Sequence, residues 1–105
     1  MNRRIAITDV AALDLEDIWT YIAGDNPEAA TELLIALNEQ FESLCEHPML
    51  GRPRNKILLN LRSLVFRRYV IFYLPSDDKI EIWHVLHSSR DIEGYIQRFF
   101  DSLPR

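Results

Sequence analysis

The spacing of hydrophobic positions changes character several times along the chain. Ile5 and Ile7 alternate within Arg4 to Thr8, and the segment closes on Thr8-Asp9, which predicts a short opening strand followed by a helix start. Leu15, Ile18, Trp19 and Ile22 then recur at helical spacing, so Asp9 to Ala23 reads as an amphipathic helix, with Trp19 expected in the core and Gly24 as the stop. Asn26-Pro27 supplies an N-cap and a first-turn proline, and Glu28 suits the positive end of a second helix. That helix has the stripe Ala30, Leu33, Leu34, Leu37, Phe41, Leu44 and Cys45, and runs about five turns before Pro48 stops it, with His47 placed to cap it. A turn of a few residues between the two helices predicts an antiparallel hairpin.

The segment from His47 to Asn60 holds Pro48, Gly51 and Pro53 among polar residues and reads as a loop. Leu61 to Phe66, Tyr69 to Leu74 and Lys79 to His87 follow as three strands, joined at Arg67-Arg68 and through Pro75-Ser76-Asp77-Asp78, so a compact antiparallel meander is expected. Tyr69 to Leu74 is apolar on both alternations and is therefore the central strand, covered on both faces. The hairpin supplies one cover. Ile92, Tyr95, Ile96, Phe99 and Leu103 lie on one stripe of a short C-terminal helix that supplies part of the other, with Ser88 as its N-cap and Asp91 as the acidic partner three residues on. The expected class is α+β: an N-terminal strand, an antiparallel helical hairpin packed on an antiparallel meander sheet, and a short C-terminal helix. A length of 105 residues, 48% hydrophobic and 27% charged, suits one globular domain over 1–105.

Charge changes this picture more than composition does. The net charge of -4 conceals a separation along the chain. Between Ile5 and Gly51 stand ten acids (Asp9, Asp14, Glu16, Asp17, Asp25, Glu28, Glu32, Glu39, Glu42, Glu46) and no Lys or Arg. From Arg52 to Ser76 the sign reverses, with Arg52, Arg54, Lys56, Arg62, Arg67 and Arg68 and no acid, so a local positive field is expected to attract an acidic partner. No apolar run is long enough to span a bilayer and the N-terminus lacks a signal-peptide core, which predicts a cytoplasmic protein with no membrane partner. Cys45, the sole cysteine, cannot form an intrachain disulfide and is expected as a small buried hydrophobe. His84 and His87, three apart on a strand, fall on opposite faces and do not make a metal pair, so no metal or cofactor is expected.

Several segments in this order carry a resemblance: Asp14-Leu15-Glu16-Asp17-Ile18-Trp19-Thr20-Tyr21-Ile22-Ala23, Asn26-Pro27-Glu28-Ala29-Ala30, Pro48-Met49-Leu50-Gly51-Arg52, Leu61-Arg62, Arg68-Tyr69-Val70-Ile71-Phe72-Tyr73, and Val85-Leu86-His87 leading to Arg90-Asp91. Together they resemble the ParE and RelE toxin superfamily over nearly the whole chain, with wording closer to ParE. The resemblance implies the toxin of a toxin–antitoxin pair, held inactive by a cognate, ParD-like antitoxin wrapped over its surface, with operator DNA bound only through the antitoxin. It leaves three functions open. ParE-like members inhibit DNA gyrase by trapping it on cleaved DNA, RelE-like members are ribosome-dependent RNA endonucleases, and a third possibility is an inert member that only binds its antitoxin.

The candidate residues differ between these readings. RNA cleavage through a 2′-hydroxyl needs a general base, a general acid and cations at the phosphorane-like charge. By resemblance Arg62 falls where RelE-like enzymes carry a catalytic arginine, and Arg90 with Tyr95 stands near their C-terminal arginine and tyrosine at a different spacing. His87 is a candidate proton shuttle or a structural histidine bonding the turn. The absence of a convincing acid–base pair makes a non-enzymatic gyrase inhibitor the preferred reading. For the antitoxin, Arg52, Arg54, Arg62, Arg67 and Arg68, interleaved with Ile57, Leu58, Leu59 and Leu64, suit a clamp on an acidic amphipathic segment. Trp83, expected on the same face as Val85 and His87 and opposite Ile82 and Leu86, is a candidate anchor for it.

Overall fold

The computed structural model describes residues 3–104. Strand β1 (Arg4–Ile7) leads into α1 (Asp9–Ala23), where Thr8 caps the helix by accepting from the Ala11 amide at 3.2 Å. Asn26 caps α2 (Pro27–Glu46) in the same way through the Ala29 amide at 3.1 Å, and Pro27 occupies the first turn, where its missing N–H costs nothing. The strands are β2 (Arg52–Pro53), β3 (Arg62–Phe66), β4 (Tyr69–Pro75) and β5 (Lys79–His87), and α3 spans Ile92–Ser102. Asp91, not Ser88, caps α3, its carboxylate accepting from the Gly94 amide at 3.4 Å. Ser89 is occupied elsewhere, by His87, and the stretch from Ser88 to Arg90 forms the turn.

One five-stranded sheet runs in the order β1-β5-β4-β3-β2. The meander β3-β4-β5 is antiparallel as expected, but β1 adds to β5 in parallel, pairing Arg4 with Lys79 through Ile7 with Ile82, so the sheet is mixed. The predicted loop after α2 also contributes the two-residue strand β2 against Arg62 and Ser63. Strand β4 is central and carries a core on each face. Leu33, Leu37, Phe41 and Leu44 of α2 pack with Ile71, Tyr73, Ile80, Ile82 and Val85 on one side. Leu61, Phe72 and Leu86 pack with Ile96 and Phe100 of α3 on the other. Cys45 lies at the edge of the first core, where burial, its largest influence, pushes the thiol above its usual 9.0. Among the described residues no helix is long and apolar enough to cross a membrane.

A bulge in β5 alters which side chains share a face. Phe72 pairs with His84 and Tyr73 with Ile82, so Trp83 has no opposite number. The extra residue reverses the alternation. Ile80, Ile82 and Val85 reach the hairpin core while Trp83 and Leu86 reach the α3 core, which corrects the expectation that Trp83 sits with Val85 and opposite Leu86. Trp19 is likewise not in the core: it is 38% exposed at the seam of the hairpin.

Candidate functional site

The basic residues separate into internal and external groups once the loop after α2 is followed. Tyr73, fully buried on β4, donates its hydroxyl to the Pro48 carbonyl at 2.8 Å and accepts the Gly51 amide at 2.8 Å. Burial raises its ionisation above the usual 10.0, outweighing the Gly51 hydrogen bond and the charge of Arg62, so the phenol keeps its proton. Gly51 has no alternative here, because a Cβ would stand 2.7 Å from the Tyr73 ring and 2.8 Å from the Ser63 carbonyl. Arg62 completes the clasp by donating to the Gly51 carbonyl at 2.6 Å and to the Met49 carbonyl at 3.3 Å.

Arg54 is also internal. Its side chain is 9% exposed, pairs with Glu93 of α3, donates to the Ser63 hydroxyl at 3.3 Å and lies 5.7 Å from the centre of the Phe72 ring. Arg54 therefore ties α3 to the sheet, and Arg52, at 4.0 Å from Glu93, stands outside it in solvent. Arg67 and Arg68 form the exposed two-residue turn between Phe66 and Tyr69. Arg67 has φ 54°, a conformation that costs a non-glycine residue about 1–2 kcal/mol, and its guanidinium lies 4.9 Å from the centre of the Phe66 ring. Trp83 is packed beneath α3, 5.8 Å from Phe100 and 6.2 Å from Phe99, which removes it from the basic edge.

The far end of the sheet holds a cleft of about 530 Å³ between α1 and the ends of β4 and β5, lined among others by Asp14, Asp17, Tyr21, Tyr69, His87 and Arg90. The Ser89 amide reaches His87 Nδ1 at 3.1 Å, which assigns that nitrogen as acceptor, and the Ser89 hydroxyl lies 2.7 Å from it. The imidazole is thereby fixed by its own turn, edge-on to Tyr69 at 5.4 Å. Arg90 lies 5.2 Å from the Tyr95 ring, on the α3 side of the same turn. Arg62 does not join them. It pairs with Tyr73 and His87 with Tyr69, four residues apart on β4 and two strands apart across the sheet, which is roughly 16 Å at normal strand dimensions.

Comparison with known proteins agrees with this architecture. The family model for the ParE toxin of the type II toxin–antitoxin system, parDE, matches residues 5–92. The toxin ParE1 of Caulobacter vibrioides is 31% identical over 87 residues, which cover 82% of this chain and 90% of that protein. The chain belongs to the ParE toxin family. Among solved structures, the chromosomal ParDE system from P. aeruginosa aligns with TM-score 0.67 and 22% identity over 81% of this chain and 95% of that one. A chain of the toxin–antitoxin complex RelBE2 from Mycobacterium tuberculosis aligns with TM-score 0.60 and 20% identity over 83% and 99%. Both show the shared fold. The ParE family match ends where α3 begins, so Arg54–Glu93 and the aromatic packing of Trp83 join the matched segment to a helix beyond it.

One partly buried pair escaped the sequence reading. Asp14 on α1 accepts the Val85 amide at 3.0 Å and holds His84 Nδ1 at 2.6 Å, closing the part of the β5 edge that β1 leaves uncovered beyond Ile82. His84 is 1% exposed, with its ring 4.4 Å from Phe99 and 5.5 Å from Tyr95. Asp14 and His84 are 70 positions apart in sequence, and only the solvent-like look of an acidic helix face distinguished Asp14 beforehand.

Proposed function

We propose that this ParE-family chain is the toxin of a type II toxin–antitoxin pair, that it arrests growth in the cytoplasm by binding and inhibiting DNA gyrase, and that a cognate ParD-like antitoxin silences it. The observation that carries the choice of a binding protein over an RNA endonuclease is the separation of Arg62 from His87, Arg90 and Tyr95. The Arg62 guanidinium is committed to the Gly51 and Met49 carbonyls, the backbone of Arg62 lies about 16 Å from that of His87, and Tyr95 is packed against His84 under Arg90. His87 as a general base and Arg62 as the charge-stabilising arginine cannot share one phosphate across that span.

The antitoxin surface is supported by the outward-facing part of the basic segment. Arg52, Arg67 and Arg68 are exposed, and β2 is only two residues long, which leaves the Leu64–Phe66 part of β3 without a neighbour on that edge. Val65 there is 70% exposed. An unpaired strand edge flanked by arginines suits an extended acidic segment, which would gain main-chain hydrogen bonds from the edge and charge complementarity from the arginines. Arg54 and Arg62 are committed to internal contacts and Trp83 to the α3 core, so these three lie outside that surface.

The test is a gyrase reaction on supercoiled plasmid with purified toxin, with and without ATP. Toxin-dependent linear DNA is the expected result. No effect from toxin that still binds its antitoxin would overturn the gyrase reading and direct attention to ribosome-dependent RNA cleavage or to an inert member.

A further inference from the structure

We propose that the outer seam of the α1–α2 hairpin is a second docking surface, shaped for a cationic amphipathic helix of a partner protein. A groove of about 410 Å³ opens on the side of the hairpin that faces away from the sheet, with Trp19, Leu34 and Ile35 in its floor and Thr31, Asn38, Glu39 and Glu42 around it. Ile35 is 56% exposed and Trp19 38% exposed. The Trp19 indole N–H donates to the Thr31 hydroxyl at 3.4 Å, which holds the ring across the seam instead of letting it fold inward. An apolar floor between two antiparallel helices accepts a third helix through anchors spaced i, i+3, i+4 and i+7.

Charge selects the occupant. The hairpin contributes no Lys or Arg between Ile5 and Gly51, and Glu39 and Glu42 stand at the groove itself. Among the described residues neither forms an ion pair, and Glu42 is met only by the Asn38 amide at 3.2 Å. A helix with a leucine-type stripe flanked by Lys or Arg would satisfy both the floor and the rim. A second copy of this chain placed symmetrically on the groove would bring two acidic hairpins together, which electrostatics opposes. This surface is distinct from the basic edge assigned to the antitoxin, and it rests on neither that assignment nor the gyrase reading.

The probe is a synthetic helix of about 16 residues, long enough for marginal helicity, with leucines at the anchor spacing and lysines beside them; a control peptide carries glutamates in place of the lysines. Binding is read by the fluorescence of Trp19 in a Trp83→Phe background, and unfolding midpoints are measured alongside. The lysine peptide is expected to bind saturably and the glutamate peptide not at all. Ile35→Ser is expected to weaken binding about tenfold with the midpoint unchanged, as for loss of an interface anchor. Glu39→Lys with Glu42→Lys is expected to slow association about tenfold at low salt and flatten its salt dependence. Equal binding of both peptides, no binding of either, or insensitivity to these substitutions would overturn the proposal. So would sedimentation showing a dimer that Ile35→Ser dissociates, because the occupant would then be a second copy.

Discussion

Tyr73→Phe removes one oxygen and little else, and the structure fixes what that oxygen does. It donates to the Pro48 carbonyl and accepts the Gly51 amide, both at 2.8 Å, while the ring stays fully buried between β4 and α2. Phenylalanine keeps the ring packing but leaves the Gly51 amide without its acceptor in a buried position. A net hydrogen bond contributes about 1 kcal/mol and an unsatisfied buried donor costs about 1–3 kcal/mol, so the expected loss is at least about 2 kcal/mol. For a chain of this size that lowers Tm by roughly 10 °C. Urea unfolding followed by tryptophan fluorescence measures the loss as a lower midpoint at unchanged slope, and amide exchange should show Gly51 losing protection. A loss below about 0.5 kcal/mol, within the ordinary scatter for surface substitutions, would refute the view that this hydroxyl clasps the 48–51 loop to the sheet.

Other outcomes follow from the same geometry. Gly51→Ala pushes a methyl to 2.7 Å from the Tyr73 ring and 2.8 Å from the Ser63 carbonyl, so it should cost about 1–3 kcal/mol in urea unfolding, as overpacking does. Phe41→Ala, at a position 1% exposed, should cost about 3–5 kcal/mol by the same assay. Arg67→Glu with Arg68→Glu should slow antitoxin association about tenfold at low salt and weaken its salt dependence; unchanged stopped-flow kinetics would remove these residues from the docking edge. Alkali should destabilise the fold. Burial raises the folded-state pKa of Cys45 above 9.0 and those of Tyr69 and Tyr73 above 10.0, so above those values the unfolded chain releases protons that the folded one retains. The associated stability is complete below pH 9, and unfolding free energy measured from pH 8 to 11 should fall progressively, with Tyr73→Phe showing a shallower fall above pH 10.

The exposed and internal arginines also make different demands on stability. Arg67 sits in a left-handed backbone conformation where glycine would be relaxed, in a turn whose guanidiniums face solvent. Arg54, by contrast, is held inside by Glu93, Ser63 and Phe72, so its loss would loosen α3 before it changed any surface contact.

Local signals in the sequence determined the helices and the meander. Thr8 and Asn26 cap their helices through the backbone amide three residues on, an interaction complete within one turn of chain, and the stripe from Ala30 to Cys45 already dictates which side of α2 is buried. The two-sided apolarity of Tyr69 to Leu74 likewise located the central strand without reference to its neighbours. Tertiary structure decided what depends on pairing between distant segments. The extra residue at Trp83 has meaning only against β4, where it exchanges the faces of everything beyond it. Strand β1 becomes parallel only by meeting β5, some 75 positions later, and Asp14 becomes a partly buried acceptor only because β1 ends before Val85 and leaves an amide open. The arginines of the basic segment look alike in sequence, but Glu93, the Gly51 carbonyl and solvent claim different ones, and that partition is what separates structural cations from exposed ones.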